Sequence, residues 1–314
     1  MQFAARKIIV LATIFVVSLT MSFASFSVPS YHFSGIAAGD HFKTAGAWMR
    51  PFYEGGKQNN HGDLLGYRAN TLGIVFGFDE EILDRLKLGL ALSYAGTKVN
   101  YLNHHDSHTH IYTRLATFYG TYQFCNAVYL DWLFSGGETF DKGQRVTDLV
   151  VNHFRYDGKQ FSIAAIVSKD YLRNKIFFTP RITANYVYLN HDEHSETVDG
   201  NQVLSVPFYD SNVFTLGAGI SGAQIVRCRK YALKPELQAM LYYDIVSGKQ
   251  NSSSAFIIGG PALATTATPG RLTAQIGASM TFNIKEFSLK LEYDLQAKTN
   301  YFNNIAYINL RYIF

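Results

Sequence analysis

The chain has 314 residues, room for one large domain or two small ones. Hydrophobic residues make up 47% and charged residues 17%, yet mean hydropathy is −0.02. Apolar residues must therefore alternate with polar ones, which argues against a membrane protein of long apolar helices, while 28 basic against 24 acidic residues, dispersed along the chain, leave no footprint for nucleic acid or an acidic substrate.

The first element is a signal peptide over residues 1–24. Arg6 and Lys7 precede an apolar stretch from Ile8 to Thr20, and Ser22-Phe23-Ala24 supplies small residues at the exit. That stretch is too short to span a bilayer as a helix, which needs about 20 residues. Cleavage after Ala24 would leave 26 basic residues against 24 acidic ones. Residues 25–45 read as a short linker with a place in a lumen. Pro29, Gly35 and Gly39 make them a poor helix.

From residue 46 onward the dominant signal is period-two alternation. Twelve strands are expected, near 46–57, 66–79, 84–97, 108–122, 127–138, 152–169, 174–189, 211–225, 230–246, 268–283, 286–298 and 304–314. In the third, Leu86, Leu88, Leu90, Leu92 and Tyr94 share one face, with Lys87, Gly89, Ala91 and Ser93 opposite. In the eleventh, Phe287, Leu289, Leu291, Tyr293 and Leu295 alternate with Ser288, Lys290, Glu292, Asp294 and Gln296. Many of the strands exceed the five or six residues usual in globular sheets and match the 9 to 11 tilted residues that cross a bilayer. Their apolar faces carry no charge. Their other faces carry Lys87, Asp131, Arg181, Lys234, Glu236, Lys290, Glu292 and Arg311. Buried in a sandwich core, each would cost several kcal/mol unless paired; facing a hydrated lumen they cost little. The expected fold is thus an all-β, twelve-stranded antiparallel transmembrane barrel over residues 46–314.

The connections alternate long and short almost throughout, as in barrels with periplasmic turns and outer loops. Turns are expected near Glu80 to Leu83, Gln123 to Asn126, Asp170 to Arg173, Val226 to Arg229 and at Ile284 and Lys285. Outer loops are expected at 58–65, 98–107, 139–151, 190–210 and 247–267, with a short last one at 299–303. Pro51, Pro180 and Pro235 fall inside strands, where each forfeits a ladder bond. Pro207, Pro261 and Pro269 lie in or beside long loops.

The order of these features resembles the autotransporter β-domain. Trp48-Met49-Arg50-Pro51-Phe52, Gly66-Tyr67, Gly73, Gly77 and Asp79 are similar to its opening strands. Leu86 to Tyr94, Leu233-Lys234-Pro235-Glu236-Leu237, and Arg271 to Phe314 are similar to later ones. The resemblance spans about residues 46–314. It implies a twelve-stranded barrel whose lumen holds an α-helical linker to an N-terminal passenger. About 20 residues, Ser25 to Thr44, stand between the expected cleavage site and the barrel, so no substantial passenger is expected, and the linker-cleavage residues of the family are not placed here.

Leu310, Tyr312 and Phe314 alternate on the last strand. A terminal Phe with an aromatic two residues before it resembles the signal read by the outer-membrane assembly machinery, which acts on an unclosed strand edge. His104, His105, His108 and His110 with Asp106, and His191, Asp192, Glu193, His194 and Glu196, are two polar clusters in outer loops. Both read as solvated, titratable loops rather than metal sites. Asp106 or Asp192 beside those histidines is a weak candidate for hydrolysis, and Gly219-Ile220-Ser221-Gly222 is not a nucleophile elbow. Asn251-Ser252-Ser253 reads as a chance glycosylation triplet. Cys125 and Cys228, both in turns, read as free thiols. The expectation is a surface-exposed, translocator-like barrel in the bacterial outer membrane, partnered by lipid and the assembly machinery, with no catalytic residues, metal or cofactor. The alternatives are an adhesin whose outer loops bind a host surface ligand, and a small-solute pore.

Overall fold

The computed structural model describes residues 45–314 apart from 61–65, 103–105, 125–126, 148–149, 199–200, 207, 229–230, 248–253, 257–259 and 263–269. The signal peptide and nearly all of the linker lie outside these residues, as do Cys125, His104, His105, Pro207, Pro269 and the Asn251 triplet. Among the described residues no helix is long and apolar enough to cross a membrane, which says nothing of strands.

Twelve antiparallel strands close on themselves. They are β1 (Gly46–Gln58), β2 (Tyr67–Leu83), β3 (Leu86–Tyr101), β4 (His108–Gln123), β5 (Val128–Thr147), β6 (Val150–Lys169), β7 (Ile176–His191), β8 (Tyr209–Gln224), β9 (Ala232–Ser247), β10 (Leu272–Ile284), β11 (Phe287–Lys298) and β12 (Tyr301–Ile313). Each pairs with its sequence neighbours, and β1 pairs with both β2 and β12, so the barrel leaves no edge open. At the seam Gly46 faces Ile313 and Gln58 faces Tyr301, and the Phe314 N–H donates to the Ala45 carbonyl at 3.0 Å.

The alternation is what sorts the side chains. Outward residues are large and apolar: Leu72 is 69% exposed and Leu237 68%, with Leu90, Leu92, Ile182 and Ile276 close behind. A soluble surface would not carry so continuous an apolar belt, whereas lipid removes its cost. Inward residues are small, aromatic or charged. Trp48, Val75, Ala91, Tyr119, Leu133 and Ala164 pack together on the inner side with Phe52 against them. Gly77 and Gly89 make room for two of these rings. A Cβ on Gly77 would lie 2.3 Å from the Trp48 ring, and one on Gly89 2.3 Å from Tyr119.

Each in-strand proline stands where one ladder stops. β1 keeps its pairing to β2 at Pro51 but skips β12 at residues 50 and 51. β7 pairs with β6 only as far as Arg181, next to Pro180; the chain then leaves the ladder at Asp170 and pairs again through Tyr171–Arg173. Pro235 sits where β9 loses β8, with pairing resumed through Val226–Arg227. The missing N–H of proline is the common cause.

Several expected boundaries are corrected. β2 runs on to Leu83, so the turn expected at Glu80 to Leu83 instead falls at Asp84 and Arg85. The loop expected at 139–151 is largely strand: β5 and β6 stay in register from Val128↔Lys169 to Thr147↔Val150. Much of 190–210 is a hairpin of His194–Val198 and Asn201–Val206, which pairs with Ser254–Phe256 on one side and touches β6 at His153 on the other. Charged residues on both faces hid these outward extensions, because alternation marks a strand only while one side is apolar.

Candidate functional site

The inner wall and the outer mouth hold the polar groups from which any activity must be built. At the end near the short turns, Asp79 is 1% exposed on the inner face of β2. Lys87 Nζ lies 2.7 Å from it, Arg311 Nη1 donates to it at 2.9 Å, and Arg311 Nη2 makes a second, short contact. The Tyr119 hydroxyl donates to Asp79 at 3.0 Å and accepts from the Trp48 ring N–H at 2.6 Å. This network draws on β1, β2, β3, β4 and β12 and so fastens the seam from inside.

Further round the wall, Arg181 donates to Ser221 at 2.6 Å and reaches Glu236 at 3.5 Å. Lys234 lies 3.5 Å from Glu236, and Lys290 lies 3.0 Å from Glu292. Gln238 donates to Asp294 at 2.7 Å and to Glu292 at 3.4 Å, joining the two sets. Asp131 accepts from Thr121 at 2.6 Å. All eight inward charges named from the sequence thus have a hydrogen-bonding or ion-pair partner on the wall. They form two networks and one separate contact, and both signs occur in each network, so these eight residues stiffen the wall rather than build a one-signed ring. Sequence reasoning missed Asp79 as the centre of the first network. Its signal was there: the inward alternation of β2 places it level with Lys87's strand.

The outer mouth differs most from expectation. His191, His194 and Glu196 were expected in a solvated loop; the structure buries all three, with His191 and Glu196 at 0% exposure. The cause is the hairpin that starts at His194, which closes over the extended β5 and β6. Arg145 on β5 pairs with Glu196 through a short contact, and Asn152 on β6 donates to the same carboxylate at 3.4 Å. The Tyr156 ring stacks on His194 with centroids 4.3 Å apart and meets His191 edge-on at 5.3 Å. Burial pushes His191 down to about 3, reinforced by His194. Burial likewise holds His194 at about 4, with Arg145 adding to the effect and the Asp192 carbonyl opposing it. Asp141, also buried, is pushed up to about 8 by desolvation, partly offset by the neighbouring Tyr156 hydroxyl and reinforced by Asp157. At neutral pH the two histidines are therefore uncharged.

Asp106 and Asp192 meet His108 and His194 through their backbone carbonyls, at 3.2 and 3.4 Å, which is not the carboxylate-to-ring bond that would orient a base. His108 and His110 do share a face, with ring centroids 5.3 Å apart. Among the described residues no group of three His, Cys, Asp or Glu side chains is placed to hold a metal ion. Cys228 is a free, exposed thiol. Leu310, Tyr312 and Phe314 point outward at the turn end, where Phe314 stacks on Phe78 at 6.2 Å and Tyr312 packs on Phe287 at 4.8 Å.

Comparison with known proteins sets this geometry in context. A family model described as the autotransporter β-domain matches residues 47–294. Outer membrane protein B of Rickettsia prowazekii (strain Madrid E) is 24% identical over 276 residues, 83% of this chain but 16% of that protein. Outer membrane protein A of Rickettsia rickettsii is 23% identical over 298 residues, covering 88% of this chain and 13% of that protein. The chain thus spans about a sixth of the length of the curated relatives it matches. Among solved structures, the translocator domain of the autotransporter NalP from Neisseria meningitidis superposes with a TM-score of 0.73 at 13% identity, covering 95% of this chain and 97% of that one. The β-domain of the Bordetella autotransporter BrkA superposes at 0.65 with 14% identity, covering 85% and 98%.

Proposed function

Because this chain belongs to the autotransporter β-domain family and sits in the bacterial outer membrane, we propose that it works as a translocator-type barrel that shows a built surface to the outside. The observation that carries this reading is the bond between the two ends of the barrel, from the Phe314 N–H to the Ala45 carbonyl. It sets the start of β1 at the short-turn, periplasmic rim. Any segment joined ahead of Ala45 then begins at the inner mouth, and its shortest route outward runs through the lumen. The reading does not depend on what that segment is.

The proposed action is transport and display; among the described residues the wall's polar groups are paired with one another, which supports a structural lining. Assembly into the membrane is assigned to the outer-membrane machinery acting on Leu310, Tyr312 and Phe314. The extended β5–β6 pair and the hairpin beside it favour one second reading, an adhesin that binds a host surface through a rigid outer rim.

An epitope placed at the far end of the preceding segment, directly after the expected cleavage site at Ala24, tests the leading reading. On intact cells a translocator exposes it to antibody. Detection only after the outer membrane is breached would contradict it. If exchange of 194–206 abolishes attachment to host cells while the barrel still assembles, the adhesin reading is supported instead.

A further inference from the structure

Above the apolar belt, the outward faces of β3 to β6 carry a row of basic side chains. Lys98 pairs with His110, His110 with Lys142, and Lys142 with Arg155, each directly across from the next. His110 is half-buried, and Lys98, Lys142 and Arg155 are exposed. Among the described residues no carboxylate makes an ion pair with these last three. At Lys142 and Arg155 two permanent cations stand directly opposite on neighbouring strands, with Lys98 on the far side of His110; like charges so placed repel, which is costly unless an anion lies on them. The crowding is visible at His110, which is held below its ordinary value by partial burial first and then by His108, Lys98 and Lys142.

Height fixes what the anion can be. Lys98 stands twelve residues along its strand from Leu86 at the turn end, and the other three stand slightly further from theirs. A tilted strand climbs about 2.5 Å per residue along the barrel axis, and the apolar band of such barrels is about 25 Å tall. The row therefore stands roughly 5–10 Å beyond that band, at the depth of lipid headgroups. Tyr112, one outward position closer to the band on β4, marks the interface beneath it.

We propose that Lys98, His110, Lys142 and Arg155 form a docking strip for phosphorylated lipid headgroups of the outer leaflet. Lys142 and Arg155 leave adjacent strands about 5 Å apart, and with Lys98 two strands away their ammonium and guanidinium groups suit the several oxygens of one or two phosphates, whose binding relieves the repulsion that the sheet imposes. Arg114 and Lys159, outward and exposed on β4 and β6 at a lower level, extend the strip towards the glycerol or sugar region, with Glu138 between them and Asp157 beside Arg155 limiting the charge there.

The test uses the refolded full chain in phosphatidylcholine vesicles. One set contains a bis-phosphorylated, acylated disaccharide glycolipid, a second contains the same glycolipid without phosphate, and a third has inorganic phosphate in solution at equal concentration. Bound lipid is counted by native mass spectrometry. The proposal expects the phosphorylated glycolipid to be retained and the dephosphorylated form lost. In K98Q/K142Q/R155Q retention should fall about tenfold, with K98R/K142R restoring it. The variants change exposed side chains only, and the thermal midpoint in pure phosphatidylcholine checks that each is folded. Equal retention by wild type and the glutamine variant overturns the proposal. So does full displacement of the glycolipid by inorganic phosphate, which would make the strip a site for soluble anions.

Discussion

At Asp79 one carboxylate, 1% exposed, holds Lys87 and Arg311, whose side chains keep 14% and 22% exposure. Asp79→Asn keeps the volume and removes the charge, leaving two cations facing each other across the seam. Breaking a buried pair costs about 3–5 kcal/mol, and the partial exposure of the two cations favours the lower end. The temperature at which the folded barrel loses its compact electrophoretic form should drop clearly; an unchanged midpoint would show that the network does not hold the seam. The buried histidines make a pH prediction. Their folded values, about 3 for His191 and about 4 for His194, lie below the ordinary 6.5. Between about pH 6.5 and 4 the unfolded chain therefore binds protons that the folded mouth refuses, and stability falls as pH falls. Asp141, raised to about 8, acts in the opposite sense, since its folded form keeps a proton that the unfolded chain gives up above about pH 4. The histidine share is isolated by comparison: from pH 7 to 4.5 wild type should lose more stability than H191Q/H194Q. Parallel curves would mean that the rings are not held neutral. The burial of these rings was beyond sequence reading, because His191 to Glu196 is polar throughout and nothing in it announces the hairpin partner that covers it.

Strands reveal how far alternation carries. Where one face meets lipid, as in Leu86 to Tyr94 or Phe287 to Gln296, twelve strands and their periplasmic turns are readable to within a few residues. Past the lipid both faces are polar, and the outward ends of β5 and β6 looked like loop. The proline interruptions were also readable as irregularities, though which neighbour each would lose depends on the ladder and not on the local sequence. Because Asp141–Thr147 pairs with Val150–Tyr156, trypsin added to intact cells should spare Lys142 and Arg145. Rapid cleavage there would contradict the extended pair. The last strand carries its own prediction. Phe314 packs on Phe78 and Tyr312 at the rim, and its replacement by serine should reduce the folded barrel in the outer membrane several-fold while synthesis is unchanged. An equal yield would leave this strand with closure alone and no role in assembly.

Taken as a whole, the molecule is a belt of exposed Leu, Ile, Phe and Tyr around a wall of paired charges, capped on one side by sheet that rises above the membrane. The belt sets the location, the wall sets the stiffness, and the two ends of the barrel, Ala45 and Phe314 at one rim, give the proposed translocator its direction of passage. The most direct test of that passage is single-channel conductance of refolded residues 25–314 set beside residues 45–314 in planar bilayers. The translocator reading predicts that the shorter form conducts and the longer form is silent or nearly so, because that reading puts the segment ahead of β1 in the lumen. Equal conductance from both would contradict it, and would move the balance to an open pore for small solutes.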